Sequence, residues 1–110
     1  MGANQRQVLK YSDARGREPL SAWLKTLKHA KGRAAVYVRI NRMEHGNFGD
    51  YVSVGDGVFE MRIHLGPGYR IYFGVDDDES VLLLCGGLKR SQRRDLARAK
   101  RIWKEHKKTG

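Results

Sequence analysis

Arg62, His64, Arg70 and Tyr72 stand out first, because residues of these types, so closely spaced, suit the binding of a phosphate. They lie in the run Met61-Arg62-Ile63-His64-Leu65-Gly66-Pro67-Gly68-Tyr69-Arg70-Ile71-Tyr72-Phe73, where polar and apolar residues alternate on each side of a turn. Phe59, Met61, Ile63 and Leu65 share one face of the first strand, opposite Glu60, Arg62 and His64. Tyr69, Ile71, Phe73 and Val75 share a face of the second, opposite Arg70, Tyr72 and Gly74. A three-residue loop, Gly66-Pro67-Gly68, matches these faces by pairing Ile63 with Ile71, Met61 with Phe73, His64 with Arg70 and Arg62 with Tyr72. A two-residue loop would mix them. Cross-strand neighbours lie about 4.5–5.5 Å apart at Cβ, so this register predicts four side chains converging on one phosphate, on the face away from the core. Like charges set opposite each other destabilise a sheet, and an anionic ligand relieves that repulsion. The surrounding cations favour the neutral, base-competent ring of His64. Lys89 is expected to join the group. It follows the pair Gly86-Gly87, which permits either a simple strand-to-helix turn or the close approach of another backbone. The plainer alternative for the whole cluster is an ordinary solvated sheet face.

The elements that position these residues can be read from periodicity. Residues 5–11 read as a short first strand. Pro19 suits the first position of a helix, and Leu20, Trp23, Leu24 and Leu27 repeat at helical spacing to make one buried face. A second helix is predicted from about Gly32 to His45, with Val36, Ile40 and Met43 as its apolar stripe and Gly46 as its C-cap. The short connection predicts that the two helices form an antiparallel pair. Tyr51–Val54, Val58–Leu65, Tyr69–Val75 and Val81–Cys85 then read as strands, and their short turns force an antiparallel meander. The last of these has no polar face and is expected to be covered on both sides. Ser91 is placed to cap a final helix to about residue 107, with Leu96, Ala99, Ile102 and Trp103 facing inward. The prediction is an α+β fold: strand, two helices, four-stranded antiparallel meander and C-terminal helix, with the helices packed on a twisted sheet.

Composition narrows the partners. The 110 residues fit one domain, 1–110. A polar N-terminus, no apolar run near the roughly 20 residues that span a membrane, and the single Cys85 predict a cytoplasmic protein with no membrane partner. Of the net charge of +10, the stretch from Gly86 onward supplies +8, through ten Lys/Arg and two acids. Such an excess predicts phosphate-rich or acidic partners. Arg90, Arg93, Arg94, Arg98 and Arg101 are the candidate RNA-binding residues there, with Tyr72 added from the hairpin; a solvated helix face is the alternative. His29, His45, His64 and His106 are scattered and Cys85 has no ligand-spaced partner, so no metal and no cofactor are expected. Trp23, Trp103, Tyr69 and Cys85 read as core.

With these residues in view, the chain resembles the RelE/ParE superfamily of toxins, in particular its HigB-like branch of addiction-module killer proteins. The resemblance rests on Trp23-Leu24, on Gly46-Asn47-Phe48-Gly49-Asp50, and on the Met61–Phe73 run. It continues through Leu82 to Gly87, Lys89, Gln92 and Asp95 to Ala99. It implies a RelE-like fold and the toxin of a type II toxin–antitoxin module. The implied activity is a metal-independent endoribonuclease, or mRNA interferase, acting on the translating ribosome, with the RNA 2′-hydroxyl as nucleophile and a cyclic phosphate as product. A cognate antitoxin, in the HigB-like arrangement a small helix-turn-helix protein, would neutralise it, and the free toxin is expected to be a monomer. By position, Arg70 matches the phosphate-stabilising arginine. Arg62 and Lys89 fall where further catalytic or RNA-contacting bases lie. His64 is the candidate base from the hairpin pattern, and the basic last helix would contact ribosomal RNA. Several relatives also use a residue near the C-terminus as an acid–base or orienting group; this chain offers Asp95 and His106 but no tyrosine. The rival expectation is a ParE-like inhibitor that binds DNA gyrase and cleaves nothing.

Overall fold

A computed structural model describes residues 5–109. The chain runs through β1 (Val8–Lys10), α1 (Pro19–Thr26), α2 (Ala30–Glu44), β2 (Tyr51–Gly55), β3 (Val58–Ile63), β4 (Tyr69–Val75), β5 (Val81–Leu88), a 3₁₀ turn (Lys89–Ser91) and α3 (Gln92–Thr109). This is the α+β order expected. The strands form one sheet in the order β1-β5-β4-β3-β2. The meander from β2 to β5 is antiparallel, as its short turns require. β1 instead joins β5 in parallel, so the sheet is mixed at that edge. No helix among the described residues is long and apolar enough to cross a membrane.

Both faces of the sheet are covered. Leu20, Leu24 and Leu27 bracket α1, and Val36 and Met43 come from α2. They pack on one face against Met61, Ile63, Tyr69, Ile71, Phe73 and Leu83. α1 rests chiefly on β5 while α2 reaches β1, and both helices give their apolar sides to the same core. On the other face, Ala99 and Trp103 of α3 pack on Val58, Tyr72, Leu82, Leu84 and Cys85. The face assigned to solvent is therefore a second, smaller core. Burial pushes the Cys85 thiol up to about 12, which leaves it unreactive at neutral pH.

β5 runs three residues past its expected end at Cys85, and the glycine pair lies inside it. A side chain on Gly86 would enter the ring of Trp23 from α1, and one on Gly87 would enter the Asp95 carboxylate from α3. The pair thus admits side chains, one on each face, rather than another backbone. Gly87→Ala is expected to cost about 1–3 kcal/mol, the usual penalty for overpacking a filled site. A urea titration against wild type measures it.

The hairpin register differs from the expected one by two residues. Ile63 pairs with Tyr69, Arg62 with Arg70, Met61 with Ile71, Glu60 with Tyr72 and Phe59 with Phe73. β3 ends at Ile63 and the loop has five residues, so Leu65 is exposed and Tyr69 does not face it. A two-residue slip keeps every side chain on its own face, so alternation alone cannot choose between the registers. Aromatic packing can. Phe59 stacks on Phe73 at 5.5 Å between centroids, and Phe48 meets Phe73 edge-on at 5.5 Å; such pairs contribute about 0.5–1.5 kcal/mol each.

Candidate active site

Three of the four residues expected to do chemistry meet in one surface cleft. His64, Pro67, Arg70 and Lys89 line a concavity of about 320 Å³ between the β3–β4 loop and the 3₁₀ turn. The Lys89 amide donates to the Gly68 carbonyl at 2.8 Å and holds the loop against that turn. Gly68 has φ of +80°, a left-handed conformation that suits glycine.

Arg70 is the least ordinary residue of the cleft. It is only 6% exposed, yet its Nε and Nη1 have no hydrogen-bond partner among the described residues. Its strand neighbours are Arg62 on one side and Gly87 on the other. A buried charged donor without a partner is costly, and a bound oxyanion would supply the missing acceptors. Lys89 adds a second positive charge to the same cleft.

Behind Arg70 lies a carboxylate that the sequence reading left without a role. Glu60 is fully buried. Its Oε1 accepts from Arg62 Nε at 2.9 Å, and its Oε2 accepts from the Tyr72 hydroxyl at 2.9 Å and from Gln92 Nε2 at 2.7 Å. Burial raises the Glu60 pKa, but the hydrogen bonds from Arg62, Gln92 and Tyr72, with the charge of Arg70, outweigh it. They hold the group below its ordinary value of 4.5. Tyr72 is completely buried, and its phenol is pushed far up, by desolvation first and by the Glu60 charge second. It supports Glu60 beneath α3 and offers no surface to RNA. Arg62 is likewise committed to Glu60 and stands beside the cleft rather than in its lining.

His64 is paired with an acid as well as sharing the cleft with Arg70 and Lys89. Its Nε2 lies 2.6 Å from Asp50 Oδ2. The hydrogen bond from His64, with the charges of Arg62 and Arg39, holds the Asp50 carboxyl below its usual range. An ionised carboxylate only accepts, so the proton sits on Nε2, and a neutral ring keeps Nδ1 free as an acceptor. Arg39 of α2 fixes this corner by donating to the carbonyls of Arg62 (2.8 Å) and Phe48 (3.2 Å), and the Arg62 amide donates to the Asp50 carbonyl at 2.9 Å. Asp50 and Arg39 were missed because they lie far from the hairpin in sequence. For Glu60 there was a signal: an acid two residues before an arginine on the same strand face.

Neither C-terminal candidate reaches the cleft. Asp95 is buried against Gly87 and accepts from Ser91. His106 faces Asp76 at 3.0 Å near the far end of α3. Arg90, Arg93, Arg94, Arg98 and Arg101 are all exposed. No group of three His, Cys, Asp or Glu among the described residues is placed to hold a metal.

Residues 22–107, which include the whole cleft, match the family described as "Phage derived protein Gp49-like (DUF891)". The chain belongs to the Gp49-like family. That family is toxin-like, of the addiction-module type. The chain is also similar to an "Uncharacterized protein" of Haemophilus influenzae, 45% identical over 84 residues, a stretch covering 76% of this chain and 85% of that one.

Proposed function

We propose that this Gp49-like protein is the single-domain toxin of a type II toxin–antitoxin module, of the RelE/HigB kind. In this reading it is a metal-independent endoribonuclease that cuts mRNA on the translating ribosome in the cytoplasm. A cognate antitoxin, a small helix-turn-helix protein, silences it, and the free toxin is a monomer. The observation that carries the reading is Arg70, a buried guanidinium with two unpartnered N–H groups, in a cleft it shares with Lys89 and a histidine held by a carboxylate.

The chemistry follows from these positions. Arg70 and Lys89 hold the scissile phosphate and stabilise the extra negative charge of its transition state. His64 Nδ1 takes the proton of the 2′-hydroxyl, whose oxygen bonds to phosphorus as the bond to the 5′ oxygen breaks. Lys89 gives the leaving oxygen its proton. The products are a 2′,3′-cyclic phosphate and a 5′-hydroxyl. Arg62 acts as a positioning residue through Glu60. The ribosome would orient the RNA, which a cleft this open does only in part.

His64→Ala is expected to slow cleavage of ribosome-bound mRNA by about 10²–10⁴, the usual contribution of a general base. Single-turnover cleavage with analysis of the product ends measures this. Products ending in 5′-phosphate, or an unchanged rate in the variant, would contradict the mechanism. DNA-damage signalling with translation intact would favour gyrase as the target.

A further inference from the structure

Arg90, Arg94 and Arg98 line a second concavity, of about 390 Å³, together with Trp23 and the backbone of Gly86 to Leu88. Its position follows from a mismatch in strand length. β1 covers β5 only from Val81 to Leu83, so the far half of β5 has no strand neighbour on that side among the described residues. Trp23 of α1, seated over Gly86, forms one wall. The exposed arginines of the 3₁₀ turn and α3 form the other. Arg94 and Arg98 are four residues apart, hence on one face and about 6 Å apart along the helix.

The groove and the cleft are lined by consecutive residues at the end of β5. Lys89 lines the cleft, while its neighbours Leu88 and Arg90 line the groove. The acid nearest these arginines, Asp95, is already held by Ser91 and by Arg94 at 3.7 Å. A larger concavity, of about 650 Å³, lies along the next row of α3, that of Lys100, Lys104 and Lys107, and Arg101 stands at the boundary between the two. Its charge is partly answered by the chain itself: Lys100 faces Asp56 at 3.5 Å, and Lys107 faces Asp76 at 3.6 Å.

We propose that the Trp23–Arg98 groove carries the single-stranded RNA leading into the active cleft, and that the basic surface of α3 is thereby divided between two tasks. Arg90, Arg94 and Arg98 hold successive phosphates, for which the guanidinium fork is better suited than an ammonium. Trp23 offers part of its ring to a base. Lys100, Lys104 and Lys107 make no contact with this strand. The assignment rests on the ribonuclease reading. An extended acidic peptide laid on the open edge of β5 is the other occupant such a groove would take, and its place beside the cleft, with Lys89 between Leu88 and Arg90, favours RNA.

The test is fluorescence anisotropy with a short single-stranded RNA, 2′-O-methylated throughout so that it cannot be cut. Arg94→Ala/Arg98→Ala is expected to weaken binding about tenfold or more. The same variant should flatten the slope of log K against log salt by about 1.4, at roughly 0.7 per lost phosphate contact. Lys104→Ala/Lys107→Ala removes the same charge from the other row and should stay within about twofold of wild type. Equal losses from both pairs, or no loss from the first, would overturn the groove while leaving the ribonuclease reading intact. Retained RNA binding with loss of binding to a polyglutamate peptide would reassign the groove to an acidic protein partner. A wild type that binds no free RNA would overturn the groove, whereas the ribonuclease reading falls only if ribosome-bound mRNA is also left uncut.

Discussion

Arg70→Met is expected to lower RNA cleavage by about 10²–10³, the usual cost of losing one donor to transition-state charge, while leaving the fold as stable as before or more so. The two expectations share one cause. Arg70 is 6% exposed, has two unpartnered N–H groups and stands opposite Arg62. Relieving buried donors of that kind is worth on the order of 1–3 kcal/mol. Part is offset by the lost attraction to Glu60, whose carboxylate feels the Arg70 charge. Methionine fills much of the same volume without a charge, so no large cavity opens. Thermal melts beside cleavage assays check both halves. A pronounced fall in Tm would mean that Arg70 is retained for the fold and that its open donors are not a ligand site.

Glu60→Ala should do the reverse, with the largest stability effect of any single change at this site. Three hydrogen bonds converge on the buried carboxylate, from Arg62, Tyr72 and Gln92. Removing it strands those donors and leaves Arg62 and Arg70 facing each other with no acid between them. Breaking a buried charge pair from one side typically costs about 3–5 kcal/mol, a large share of the roughly 5–15 kcal/mol that holds a domain together. Glu60→Gln should cost less, since an amide oxygen still accepts. It should also alter the pH response. The folded-state pKa of Glu60 lies below 4.5, so its contribution is complete above that value and is lost as pH falls through the folded pKa. The glutamine variant should therefore lose stability less steeply toward acid, a difference visible in urea midpoints from about pH 7 to about pH 3.

How far the fold could be read ahead of the structure depended on whether local pattern or distant contact decided each element. Leu20, Leu24 and Leu27 on α1 and the apolar run of β5 were legible because burial imposes a period on the sequence. The hairpin faces were legible for the same reason. Its register was not, because Phe59 on Phe73 and Phe59 on a slipped partner leave the same alternation. The parallel addition of β1 depends on pairing across most of the chain, and nothing in Val8-Leu9-Lys10 specifies its direction. At the site, Arg70, His64 and Lys89 could be named from type and spacing. Their states could not. Arg70 is buried on a face that looked solvated, Tyr72 is withdrawn from the surface because α3 packs on that face, and Asp50 reaches His64 from a loop fourteen residues away.

Net positive charge suits an RNA partner in general, whereas one unsatisfied guanidinium marks where a phosphate would sit. The most direct test is to map RNA 5′ ends in cells after inducing wild type or Arg70→Met at equal protein levels. New 5′-hydroxyl ends are expected within coding sequences for wild type, with their loss in the variant. The same ends at the same yield from Arg70→Met would contradict this expectation.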